Sequence, residues 1–296
     1  EFWFAVVGIG GLAFFNTWDF PFYVALFSAA YILSISREHG FNGRRVIEFF
    51  ELCVLLGIFG ILAYLPFFVG FASQAGGILP SLSFFTRGVF FWIMFGSMLL
   101  PIFAWLIWLW VTDRIEPVWK AGLKFTLGVV GGLWLFSYLL GWIGANFLNW
   151  GAQFQSSGIL ASVANKFVEL GNLFAGLHGS DNPTTLIFGS LAARLASPGT
   201  WITLSLLILL VWGMLAALVS RKSGSTAGTE QDDVESPISG KNPPVAGFVL
   251  LLILVGSGLA IAPEFVYLRD NFGYRMNTIF KFYFQVWMLW GIAAAY

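Results

Sequence analysis

Long uninterrupted apolar runs constrain this chain more than any other feature. Eight of them occupy roughly 2–15, 20–36, 46–72, 88–112, 121–145, 199–219, 245–262 and 278–296. A helix needs about 20 such residues to cross the hydrocarbon layer of a bilayer. The runs are continuous rather than alternating, which excludes the dyad pattern of a membrane β-barrel. The expected fold is therefore all-α: a polytopic transmembrane helix bundle of about eight membrane segments. Pro66 and Pro101 fall inside the third and fourth runs and are expected to kink them. The chain opens on Glu1 and an apolar run and ends inside another. We therefore expect the first and last segments to be truncated.

Composition narrows the function classes. Apolar residues make up 58% of the 296 and charged residues 10%, against about 25% charged in soluble domains. That excludes a soluble enzyme, a secreted disulfide scaffold and a fibre. Fifteen basic and fifteen acidic residues give no net charge, so no nucleic-acid partner is expected. The partner that composition demands is the lipid bilayer. Cys53 is the single cysteine, which rules out an intrachain disulfide.

The connections divide the chain. Residues 220–244 are rich in Ser, Gly and Pro and carry Glu230, Asp232, Asp233 and Glu235. They read as a flexible cytoplasmic linker. It separates a front bundle, 1–219, from a terminal helix pair, 245–296. Within the front bundle, 159–177 repeats apolar residues at three- and four-residue steps, from Ile159 through Val163, Phe167, Leu170 and Phe174 to Leu177. That pattern predicts an amphipathic helix lying at the membrane interface.

Eight crossings place loops 37–45, 113–120 and 220–244 on one face. That face has nine basic residues, including Arg37, Arg44, Arg45 and Arg114. The other face has six: Arg87, Lys166, Arg194, Arg269, Arg275 and Lys281. The excess marks the first face as cytoplasmic. Asn16–Asp19 and Pro263–Lys281 then share the extracytoplasmic face of a cell membrane and are expected to form one site.

Two motifs there carry chemistry. In Asn16-Thr17-Trp18-Asp19-Phe20-Pro21, an Asp interrupts apolar sequence. One reading is an interfacial turn in which Asp19 caps a helix with Pro21 in its first position. The other makes Asp19 a general base or metal ligand. The stretch Pro263–Lys281 holds Glu264, Arg269, Asp270, Arg275 and Lys281, with Tyr267 and Tyr274 among them. Asn277, Lys281 and Gln285 recur every fourth residue and so line one helix face. A lysine just inside a membrane helix should face a cavity or partner. The charges read either as a neutralising salt-bridge cluster or as an anion site.

Other polar groups carry less. Glu48 and Glu51 near Arg44 and Arg45 suit a helix start. His39 reads as solvated, and His178 with Asp181 falls short of a metal signature.

At the two motifs, NTWDFPFY at Asn16–Tyr23 and PEFVYLRDNFGYRMNTIFKFYFQVWMLW at Pro263–Trp290, the sequence resembles the YYY-domain family. That family comprises uncharacterised polytopic membrane proteins of archaea and Chloroflexi, and it is similar to GT-C type glycosyltransferases. The resemblance implies a polyprenyl-phosphate sugar donor. It implies catalytic roles for Asp19, Glu264 and Asp270, the last two orienting the cations or binding a divalent metal. Arg269, Arg275 and Lys281 would contact the donor phosphate. Asn16, Trp18, Tyr267, Tyr274, Asn277 and Gln285 complete the expected substrate site. Two other readings stay open: a transporter or flippase of an anionic lipid or solute, and a structural subunit among other membrane subunits.

Overall fold

The computed structural model describes residues 2–72, 76–157, 161–179, 182–223, 245–270 and 274–296. The linker beyond 223, Asp181, residues 159–160 and residues 271–273 lie outside the described residues. Helices form nearly everything described. They are α1 (Phe2–Phe15), α2 (Asp19–His39), α3 (Gly43–Ala63), α4 (Leu65–Gly70), α5 (Gly88–Val111) and α6 (Trp119–Ser157). After these come α7 (Ala161–His178), α8 (Pro183–Ala196), α9 (Gly199–Ser223), α10 (Ala246–Ile261) and α11 (Met276–Ala295). Six of the described helices, α2, α3, α5, α6, α9 and α10, are long and apolar enough to cross a membrane. The fold is an all-α polytopic bundle. The other two expected crossings, at 2–15 and 278–296, are occupied by α1, 14 residues long, and by α11.

The main core joins α5, α9, α10 and α11, with Leu26 of α2. Trp290 of α11 is fully buried there, and its indole donates to the Ile253 carbonyl at 3.2 Å. The terminal pair α10 and α11 thus packs into the same core as α5 and α9. A second cluster ties α1 to α2 and α3 through Val6, Ala13, Phe20, Val24 and Leu56.

Three details depart from the sequence reading. The third apolar run breaks at Tyr64, where α3 ends and α4 starts with Pro66 in its first turn. The fifth run, expected at 121–145, continues to Ser157. At about 1.5 Å per residue α6 is far longer than the roughly 30 Å hydrocarbon layer. Its last turns pack against α7, and small residues set that contact. A Cβ on Gly144 would lie 2.5 Å from the Phe174 ring, and one on Gly171 would lie 2.7 Å from the Leu148 side chain. The buried side of α7 is accordingly Ala164, Gly171 and Phe174, while Val163 and Leu170 of the predicted apolar stripe stay exposed.

The third departure is a short sheet. β1 (Ile78–Pro80) pairs antiparallel with β2 (Val266–Leu268), Leu79 opposite Tyr267. Gly76 N–H donates to the Arg269 carbonyl and Arg269 N–H to that of Gly77, at 2.7 and 2.8 Å. The pairing fixes the loop before α5 onto the segment joining α10 to α11.

Two predictions follow from the packing. A Cβ on Gly122 of α6 would collide with the Leu209 carbonyl of α9, whereas one on Gly128 meets nothing within 4 Å. Gly122→Ala is expected to cost about 1–3 kcal/mol, seen as a lowered unfolding midpoint in detergent. Gly128→Ala is expected to leave the midpoint unchanged or raise it. Burial pushes the His178 pKa from 6.5 down to about 4, so the neutral ring is the folded form. Stability contributed by His178 is present above about 6.5 and is lost as pH falls toward about 4. His178→Gln should flatten that part of a melting-temperature-against-pH profile.

Candidate functional site

The turn between α1 and α2 is closed by Asn16. Its side-chain amide donates to Asp19 Oδ1 at 2.8 Å, its Oδ1 accepts from Trp18 N–H at 3.3 Å, and its carbonyl accepts from Asp19 N–H at 3.0 Å. Of the two readings of Asp19, the helix cap is not what the structure shows. Asp19 is the first residue of α2, Trp18 holds the cap position without a side-chain bond, and Pro21 lies two residues further in. A carboxylate in the first turn still suits the positive end of the helix dipole. It is held by the turn rather than spent on capping.

α11 faces this turn. The Lys281 ammonium sits 4.2 Å from the centroid of the Trp18 ring. Tyr23, one turn beyond Asp19, donates its hydroxyl to Gln285 Oε1 at 2.7 Å, and Gln285 also lies beside Asp19. Lys281 is within electrostatic reach of both Asp19 and Asp270. Asn277 donates to Asp270 Oδ2. The structure thus gathers Asn16, Trp18, Asp19, Asp270, Asn277, Lys281 and Gln285. The Asn277–Lys281–Gln285 row faces them as its spacing predicts. Among the described residues Lys281 has no ion pair.

The remaining charges form a second, buried arrangement. Arg275 pairs with Glu264 at 2.9 Å, and their side chains are 10% and 4% exposed. Thr86 completes it: its N–H and hydroxyl donate to the two Glu264 oxygens at 2.9 and 2.6 Å. Arg275 donates to the Thr86 hydroxyl at 3.2 Å and to the Pro263 carbonyl at 3.2 Å. Thr200 at the start of α9 donates to the Thr86 carbonyl at 2.6 Å. Three segments therefore meet at one carboxylate, and Thr200 ties a fourth to them through Thr86. Arg275 and Glu264 are committed to each other, so of the three expected phosphate contacts Arg275 is neutralised, while among the described residues Lys281 and Arg269 have no ion pair.

Arg194 lies beneath this network, 2% exposed. Its guanidinium lies 4.3 Å from the Phe265 ring and 4.5 Å from that of Phe85. It donates to the Ser81 carbonyl at 2.7 Å. Burial pushes its pKa down to about 10, leaving it charged at neutral pH. Arg194 and Thr86 escaped the sequence reading. A lone Arg in the apolar α8 was the available signal for the first, and the polar Thr86-Arg87 step before α5 for the second.

The other expected residues have plainer surroundings. Tyr267 is buried in β2 opposite Leu79, and burial raises its phenol pKa. Arg269 follows the strand, its aliphatic part against Gly76. Tyr274 is exposed, with its ring 6.1 Å from that of Phe84. Among the described residues no three His, Cys, Asp or Glu side chains gather as metal ligands.

The buried pair generates a stability prediction. Glu264→Ala leaves the Arg275 charge without its partner and is expected to cost about 3–5 kcal/mol. Glu264→Gln keeps acceptor and donor groups near Thr86 and should cost less. Arg44→Ala, which removes an exposed bond to Glu48, should leave the same unfolding curve unchanged.

Comparison with known proteins gives the family. No curated protein and no solved structure matches the chain. A model of uncharacterised membrane proteins, DUF2298, matches residues 2–290. That is nearly the whole sequence, so the chain belongs to the DUF2298 family of uncharacterised membrane proteins.

Proposed function

We propose that this chain is a glycosyltransferase-like membrane protein that transfers a sugar from a polyprenyl-phosphate donor at the extracytoplasmic membrane boundary. The observation that carries the reading is the Lys281 ammonium, seated on the Trp18 ring within reach of Asp19 and Asp270. In the reaction, an acceptor hydroxyl oxygen bonds to the anomeric carbon while the bond from that carbon to the donor phosphate breaks. Asp19 takes the hydroxyl proton; a carboxylate does this at hydrogen-bond distance or through one water. Lys281 stabilises the phosphate as negative charge gathers on it, which is where a fixed cation lowers the barrier. Asp270, held by Asn277, orients the ammonium. Gln285 and Asn16 supply amides suited to sugar hydroxyls, and Arg269 a second positive charge for the donor. Arg275 and Glu264 serve as the frame.

The resemblance of the two motifs to the YYY-domain family, itself similar to GT-C glycosyltransferases, supports the same reading. Transport of the amphiphile, without bond breaking, is the competing outcome. The test uses a polyprenyl-phosphate sugar carrying a labelled sugar, incubated with the protein in nanodiscs. Asp19→Asn is expected to lower turnover by about 10²–10⁴-fold, the usual worth of a general base, with donor binding kept. Lys281→Ala should weaken donor binding about tenfold or more. Donor that binds and crosses liposome membranes with its sugar still attached would make the protein a carrier instead.

A further inference from the structure

An apolar groove opens along the hairpin of α1 and α2. Phe4, Ala5, Gly8 and Ile9 of α1 line it, with Phe27 of α2. Its volume of about 650 Å3 lies within the roughly 300–1,000 Å3 of small-molecule sites. All five lining residues are apolar, and α1 carries no charged residue at all. Gly8 faces open space, since a Cβ there would meet nothing within 4 Å. Phe4 and Phe27 stand exposed on its walls, at 86% and 43%.

The position of the groove relative to the polar cluster is what gives it meaning. α1 ends at the Asn16 turn and α2 leaves from it, so depth can be counted from that turn along both helices. Counted from the helix ends that flank the turn, Ile9 lies about 9 Å and Phe4 about 17 Å from Phe15, and Phe27 about 12 Å from Asp19, at roughly 1.5 Å per residue. One leaflet of hydrocarbon is about 15 Å thick, half of the bilayer layer. Asp19, Tyr23 and Phe27 follow one another at four-residue steps and so share a row on α2. The upper end of that row touches the α11 polar cluster through Gln285. Its lower end forms the groove wall. Lys281 of α11, seated on Trp18 at the head of this row, and the groove at its foot are thus roughly one leaflet-depth apart.

We infer that the groove holds one hydrocarbon chain of an anionic amphiphile whose charged head sits at Lys281. The inference rests on the reading of Lys281 as an anion contact and adds where the tail goes. Burying a chain in an apolar groove contributes free energy in proportion to the area covered against other protein or lipid. The ammonium selects which amphiphile remains there. A chain drawn at random from the bilayer has no such anchor.

The test uses a hexadecyl phosphate with a diazirine in the tail, and the same tail on a neutral phosphocholine head. Each is photolysed with the protein in phosphatidylcholine nanodiscs, and the labelled residues are mapped by mass spectrometry. The phosphate probe is expected to label Phe4–Ile9 and Phe27 about tenfold more than the neutral one, as one charge-assisted contact allows. Lys281→Ala should bring the two probes to the same level. Gly8→Phe should remove labelling from the groove; the Cβ it adds meets nothing within 4 Å, and an unchanged unfolding midpoint in detergent checks that the fold is kept. Equal labelling by both probes in the unaltered protein would overturn the inference, because the groove would then hold ordinary annular lipid. Absence of labelling at Phe4–Ile9 and Phe27 by either probe would overturn it too. If Lys281→Ala removes phosphate binding but Gly8→Phe does not alter it, the head site stands and the tail site falls. If the probe binds as expected but no sugar is transferred, the inference stands and glycosyl transfer falls.

Discussion

The Glu264–Arg275 ion pair and the Thr86 hydroxyl between them hold one end of the bundle together. Thr86 precedes α5, Glu264 follows α10, Arg275 precedes α11, and Thr200 opens α9. Each of those helices contributes to the main core, so their ends converge where their sides already pack. Burying a carboxylate and a guanidinium is costly unless the pair is close and every remaining hydrogen-bonding position is filled. Here Thr86 donates twice to the carboxylate, and the Pro263 carbonyl takes a guanidinium proton. The result is a rigid platform, from which α11 projects its Asn277–Lys281–Gln285 row toward the α1–α2 turn.

The division of labour among the charged groups follows from that platform. Five charged residues in the Pro263–Lys281 stretch look alike in sequence, and burial separates them. Glu264 and Arg275 neutralise each other inside the protein. Lys281 is only partly covered and rests on an aromatic face. The Trp18 quadrupole attracts the ammonium without cancelling its charge, so the cation stays oriented and still able to meet an anion. Arg194 has the opposite fate, with aromatic rings on its faces and a backbone carbonyl at its edge. It braces Ser81 and Phe265, the residues that flank the β1–β2 sheet.

What was legible in the sequence was mostly local. The helices announced themselves by long apolar runs, and the Asn277–Lys281–Gln285 row by its four-residue spacing. Counting crossings put the Asn16 turn and the Pro263–Lys281 segment together, and the Lys281–Trp18 contact joins them. The cap reading of Asp19 failed because Asn16, three residues earlier, folds its amide back and takes the carboxylate. Hydropathy falls away after 145, yet α6 continues, because α7 packs its small residues against it there. Three-residue strands are too short to carry an alternating pattern, so β1 and β2 left no signal. Thr86 and Arg194 were invisible as site elements for another reason: their partners lie 178 and 113 residues away.

Those separations bear on how the protein is made. The Tyr23 hydroxyl waits for an acceptor 262 residues downstream. Thr86 likewise waits for a carboxylate that leaves the ribosome only after α9 is complete. Until α10 and α11 enter the membrane, the nascent chain carries an Arg194 without its Phe265 neighbour and a β1 without a partner strand. The final helix pair therefore brings the residues that close the core, complete the β1–β2 sheet and assemble the charged centre. Chains halted before that point have most of their crossings but lack the Glu264–Arg275 pair and the Lys281 row.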